Sequence, residues 1–124
     1  MGNLFRRGEA PPAPRLVVVG SSFAPGGAVA GHAVVGPEPG DAAVELRRVT
    51  CFRDQVTKFY DRPTVVCPLR AGLGALEQPF QLDLPAVLPA PSAVFVEDGE
   101  PGPWWEVVLV VHRVQRASQR VSIG

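Results

Sequence analysis

The chain has 124 residues with twelve basic and twelve acidic side chains and no formal net charge at pH 7, so no overall field draws it to nucleic acid or an anionic membrane, and such binding would need a local patch. A chain of this length closes one modest core and buries roughly two thirds of its extended surface, which excludes two full domains, while 46% apolar and 19% charged residues exclude a disordered polymer. Twenty valines against one isoleucine, set among 13 glycines and 14 prolines, combine strand formers with turn formers and predict an all-β domain.

Residues 1–14 mix arginines with Pro11, Pro12 and Pro14 and show no period, so they read as a flexible or polyproline-like lead-in to a single domain over 15–124. Leu16-Val17-Val18-Val19 is a β-branched run stopped by Gly20-Ser21-Ser22, and Pro25-Gly26-Gly27 turns the chain into a second strand over Ala28 to Val35. Gly31 inside that strand implies a bulge or the close approach of another backbone. Pro37-Glu38-Pro39-Gly40-Asp41 is a loop. From Ala43 to Arg53 the alternation changes phase, with Val44 and Leu46 on one side of the slip and Val49 and Cys51 on the other. A bulge near Arg47-Arg48 is expected to bring both pairs to the core and turn the arginines outward. The chain then reverses into Thr64 to Leu69, which is expected to pair with the preceding strand as a hairpin.

Ala71 to Ala75 is a turn with Gly72 and Gly74, after which Phe80, Leu82 and Leu84 alternate with Gln81 and Asp83 as a half-buried strand that ends at Pro85. The prolines of Leu88-Pro89-Ala90-Pro91-Ser92 lack ladder donors and mark a link. Val94-Phe95-Val96 is a short apolar anchor before the acidic turn Glu97 to Pro103. Trp104 to Arg113 is the clearest strand: Trp105, Val107, Leu109 and Val111 form one phase, and Trp104, Glu106, Val108, Val110 and His112 the other. Both phases are largely apolar, which predicts a central strand. The polar stretch that follows is expected to end in a short edge strand at Val121-Ile123. No segment carries a helical stripe, and no apolar run approaches the roughly 20 residues of a membrane-spanning helix. Arg6 stands where a myristoylation start needs Ser or Thr, and no apolar stretch follows Arg6-Arg7 as in a secretion signal.

Six to eight short strands with a turn every 8 to 12 residues predict an antiparallel immunoglobulin-like β-sandwich of about seven strands. Within that class the order of Pro25-Gly26-Gly27-Ala28-Val29-Ala30-Gly31-His32-Ala33-Val34, Val44-Glu45-Leu46-Arg47-Arg48-Val49-Thr50-Cys51, Pro79-Phe80-Gln81-Leu82-Asp83-Leu84-Pro85, Leu88-Pro89-Ala90-Pro91-Ser92 and Trp104-Trp105-Glu106-Val107-Val108-Leu109-Val110 resembles the arrestin-like sandwich, as in the first half of arrestins and in bacterial sporulation-control relatives. The likeness covers most of residues 15–113, and another immunoglobulin-like sandwich would read the same segments. The resemblance implies a non-enzymatic adaptor or scaffold that holds protein partners by sheet edges and loops. Two features depart from it: the chain has length for one sandwich where the family has two in tandem, and no residues match the buried charge cluster of the animal arrestins.

No residues combine into a catalytic or metal-binding set. His32 and His112 both fall in strand patterns rather than loops, and a metal would need a third donor that no spacing supplies. Cys51 and Cys67, too few for a disulfide framework, are expected to face each other across the hairpin, either bonded or as two small buried hydrophobes. Such sparse cysteine usage fits a reducing cytoplasm. Ala71-Gly72-Leu73-Gly74-Ala75 lacks the Gly-Lys-Ser/Thr ending of a phosphate loop, and Glu97, Asp98, Glu100 and Glu106 lack the rhythm of a calcium site. Arg6, Arg7 and Arg15 at one end and Arg113, Arg116 and Arg120 at the other form a small basic cluster, without the interleaved aromatics of a nucleic-acid surface. The remaining candidates are Trp104, Val108 and Val110, whose apolar phase is expected to lie on the outer side of the sheet, where the other sheet's edge, a loop or a partner must cover it; the binding reading takes the cover to be a protein partner or a second copy of the chain. No cofactor is expected.

Overall fold

The apolar phase of each strand sorts the chain into two layers. The computed structural model of the chain describes residues 14–51, 57–90 and 103–124, which hold nine strands: β1 (Arg15–Val18), β2 (Ser22–Phe23), β3 (Ala28–Gly36), β4 (Asp41–Cys51), β5 (Lys58–Tyr60), β6 (Val65–Arg70), β7 (Gly74–Asp83), β8 (Trp104–Val111) and β9 (Val114–Ile123). One sheet has the order β1-β3-β7 and the other β2-β9-β8-β4-β5, with β6 also paired to β4. All pairings are antiparallel except the short β2–β9 contact, which is parallel. The all-β sandwich expected from the Val-rich alternation is therefore the observed architecture. The lead-in over residues 1–13, the centre of the β4–β5 reversal and the Val94-Phe95-Val96 anchor with its acidic turn lie outside the described residues.

The core lies between the sheets. Val29, Ala33 and Val35 of β3 and Phe80 and Leu82 of β7 meet Val44 and Leu46 of β4 and Trp105, Val107, Leu109 and Val111 of β8, all buried in one cluster. Strand β8 runs between β4 and β9, which makes it the central strand its two apolar phases predict. Gly31 sits in tight quarters within the three-stranded sheet. A Cβ there would sit on the Val17 carbonyl oxygen and against the Phe80 ring, so the expected backbone approach is real, and the irregularity of β3 falls later, between Val34 and Gly36. Gln78 bridges the sheets: its side-chain oxygen accepts from the Arg70 N–H at 2.8 Å and its amide donates to the Arg70 carbonyl at 2.6 Å. This contact mimics a strand pairing and closes part of the β6 edge.

Three expectations are corrected. The phase change in β4 involves no bulge, because its register with β8 runs unbroken from Ala42↔Val111 to Val49↔Trp104. Val44 and Leu46 therefore face the core, whereas Val49 and Cys51 are buried on the opposite face of the same sheet. Arg48 falls in the core phase with Leu46, and only Arg47 turns to the outer face. The second correction concerns the cysteines. Strand β6 pairs with β4 as expected, but Cys67 lies opposite Val44 and Cys51 opposite Lys58. Both thiols are free. The return strand meets β4 in two pieces: the Asp61 N–H donates to the Arg48 carbonyl at 2.9 Å and the Thr64 N–H to the Leu46 carbonyl at 2.8 Å, so Arg62-Pro63 loops out between them and shifts the register. The third is the last strand, which is not a short edge piece but ten residues long from Val114. A tight turn at His112-Arg113, with φ of 53° and 66°, starts it immediately after β8.

Candidate functional site

Successive residues of a strand point to opposite faces, so Trp104 and Trp105 place two indoles on the two sides of the six-stranded sheet at one end of β8. Trp105 is buried in the core cluster and carries the Arg48 guanidinium 4.6 Å from its ring centre. Trp104, on the outer side, lies between two cations: Arg120 at 4.6 Å and Lys58 at 5.9 Å from the ring centre. Stacking of this kind holds a guanidinium flat while leaving its N–H edge available.

Two residues along β8, Glu106 is only 3% exposed. Its Oε1 accepts from the Tyr60 hydroxyl at 2.8 Å, and its Oε2 accepts from Trp104 Nε1 at 2.8 Å and from Lys58 Nζ at 3.3 Å. The Gln115 amide donates to the Tyr60 oxygen at 3.2 Å. Burial, the largest single influence on the Glu106 carboxyl, pushes its pKa up, but the hydrogen bonds from Trp104 and Tyr60 and the charge of Lys58 together outweigh it and hold the carboxyl below its ordinary value. Burial and the neighbouring carboxylate raise Tyr60 against the opposing donation from Gln115. Lys58 loses to burial but gains more from Glu106, so its pKa is raised as well. Glu106 is thus an ionised carboxylate that accepts three hydrogen bonds. That suits fastening β5 to β8 and fixing the Trp104 ring; a general acid would need the opposite shift.

Two openings flank this end of the sandwich and share Arg48. The larger, about 500 Å³, is lined by Phe59, Tyr60, Asp61, Arg62, Pro63, Thr64, Pro89 and Ala90 with Arg48. It forms where Arg62-Pro63 loops out between β5 and β6. The smaller, about 270 Å³, is lined by Arg48, Pro103, Trp104, Trp105, Arg120 and the end of β9. Arg48 Nε is buried and has no hydrogen-bond partner among the described residues.

Of the three residues expected on an outer apolar face, the structure places only Trp104 at this site. Val108 is 1% exposed within the chain itself and so does not present the surface expected of it. It lies opposite Glu45 on one side and Ser118 on the other. Val110 is half-buried in a separate depression with Asp41, Ala43, Glu45 and Arg113. His32 is on β3 as expected and lies 3.2 Å from Glu77, whereas His112 occupies the β8–β9 turn rather than a strand. The two histidines belong to different surroundings. Among the described residues no group of three or more His, Cys, Asp or Glu side chains could hold a metal ion, and no helix is long and apolar enough to cross a membrane.

The sequence reading missed four residues of the site. Glu106 is placed on the outer phase of its strand but weighed only as a calcium ligand beside the acidic turn, Lys58 and Tyr60 fall in the chain reversal, and Arg48 reads as an outward side chain. One signal was present: a lone carboxylate inside the apolar run Trp104 to Val111 must be buried with partners, since a charge in a central strand has no route to water.

No protein-family model matches the chain, and no curated protein matches it in sequence. Among solved structures the chain is similar to macromomycin, with a TM-score of 0.56 and 19% identity over 90% of this chain and 100% of that one. At that identity the likeness is one of fold, and it agrees with the β-sandwich described above.

Proposed function

We propose that the chain is a non-enzymatic protein-binding module, an adaptor or scaffold, that receives an extended segment of a protein partner in the larger groove beside β5. The observation that carries this reading is the lining of that groove: a 42% exposed Phe59 stands with Tyr60, Pro63 and Pro89 around the Arg48 side chain. Aromatic, proline and arginine side chains supply large contact area at low entropic cost, and such residues dominate binding energetics at interfaces. The arrestin-like order of sequence motifs supports the same class of function. Self-association through the outer face of β8 is the weaker reading, because Val108, the residue at the middle of that face, is already covered within the chain.

The test is affinity capture from the native host with wild type, Phe59→Asp and Val114→Asp, the last being an exposed residue remote from the groove. A partner retained by wild type and Val114→Asp but lost by Phe59→Asp is expected, with all three chains monomeric by light scattering. Loss of no partner in Phe59→Asp, or a wild-type dimer that Val110→Asp dissociates, would overturn the reading.

A further inference from the structure

We infer that the smaller opening, between Arg48 and Arg120, is a carboxylate subsite, so that the partner segment is acidic; this rests on the protein-binding reading and names the chemistry of its ligand. Two observations meet there. Arg48 on the inner face and Arg120 on the outer face each lie 4.6 Å from a tryptophan ring centre, on Trp105 and Trp104 respectively, and both line the one opening at this end of the sheet, to which the described residues contribute no acidic side chain. Independently, the Arg48 Nε is buried and has no hydrogen-bond partner among the described residues, so this guanidinium is held without a carboxylate of the chain's own, and a donor left unmet in that way is costly.

The carboxylate nearest in the sheet cannot serve as that acceptor. Glu106 lies opposite Arg120 in the β8–β9 register, yet its oxygens are engaged by Tyr60, Trp104 and Lys58. Arg47 shows what a satisfied arginine looks like here: it donates to Glu45 at 2.7 Å and to the Asp61 carbonyl at 3.1 Å. Arg48 and Arg120 are in no ion pair among the described residues. Stacked guanidiniums keep their in-plane N–H groups free for a planar acceptor, and a carboxylate matches that fork in shape and charge. Because Arg48 also lines the larger groove, a segment lying there passes the arginine that would receive its acidic side chain.

The chain contains two tryptophans, and both border this opening, so intrinsic fluorescence reports on it directly. The probe is a tryptophan-free peptide that alternates proline and glutamate, with a proline–glutamine peptide and inorganic phosphate as comparison arms. The glutamate peptide is expected to change the emission saturably, at least tenfold more weakly in Arg120→Gln and Arg48→Met, while the glutamine peptide gives no saturable change. Arg120 is exposed, so its variant keeps the test valid if loss of Arg48 disturbs the fold. No saturable change in folded wild type, an undiminished response in Arg120→Gln, or saturation by phosphate alone would overturn the inference. If the captured partner is lost with Phe59→Asp but retained by Arg120→Gln, the subsite falls while the binding-module reading stands.

Discussion

The two faces of the six-stranded sheet exclude water by different means. On the inner face Val44, Leu46, Val107 and Leu109 are sealed by the opposing sheet, and packing alone accounts for their burial. On the outer face, with no second sheet described above it, Val49, Cys51 and Val108 are buried alongside a carboxylate network that draws Lys58, Tyr60, Trp104 and Gln115 together. The first arrangement tolerates change by degrees, because lost contact scales with lost area. The second is less forgiving: removing one polar member leaves its partners unsatisfied. The neighbours Arg47 and Arg48 repeat the contrast, one turned outward with two hydrogen bonds made and the other turned inward with its Nε unpartnered among the described residues.

The largest effects should come from breaking either face at its centre. Val108→Glu places an uncompensated charge at a 1% exposed position, with an expected loss of about 3–5 kcal/mol. Leu109→Ala opens a cavity on the inner face and should cost roughly 2–5 kcal/mol. Urea unfolding followed by circular dichroism checks both, and a stable, folded Val108→Glu monomer would show that the outer face is open after all. Glu106→Ala should cost about 1–3 kcal/mol by orphaning the Tyr60 and Trp104 donors, whereas Glu106→Gln, which keeps one acceptor, should fall between it and wild type.

The same carboxylate sets a pH dependence. Its folded pKa is lowered, so the stability it contributes is fully present above the unfolded value of about 4.3 and is lost as pH falls through the lower folded value. Wild type should therefore lose more stability than Glu106→Gln between about pH 5 and pH 3. Lys58 and Tyr60, both raised, act in the opposite direction: their contribution is complete below about pH 10 and fades above it. Melting temperatures across the range test both signs. The smallest effect sharpens the contrast. Trp104→Phe keeps an aromatic ring between Lys58 and Arg120 but deletes the donor to Glu106, and should cost about 1 kcal/mol.

Much of the inner face was legible in the sequence because alternation records it. Phe80, Leu82 and Leu84, and the odd-numbered phase of Trp105 to Val111, fall on the core side where a period of two places them. The outer face was not legible in the same way. Whether Val108 is wet depends on what the rest of the chain lays over it, and alternation along β8 carries no record of that. Cys51 and Cys67 miss each other because the chain reverses directly between Cys51 and Lys58, which pairs those two and leaves Cys67 opposite Val44. A strict alternation rule also assigns Arg48 to the core phase; expecting every arginine to reach water suggested a bulge that does not exist, and stacking on Trp105 supplied the alternative. Glu106 was the strongest unused clue, a single charge within eight residues of otherwise apolar strand.

The central claim is that the groove beside β5 is where a partner docks. A photo-crosslinking amino acid placed at Phe59, and separately at Leu76, an exposed residue that does not line this groove, tests it most directly in the native host. One dominant adduct to another protein from position 59 and none from position 76 is the predicted result. Equal labelling from both positions, or an adduct only between two copies of the chain, would contradict it.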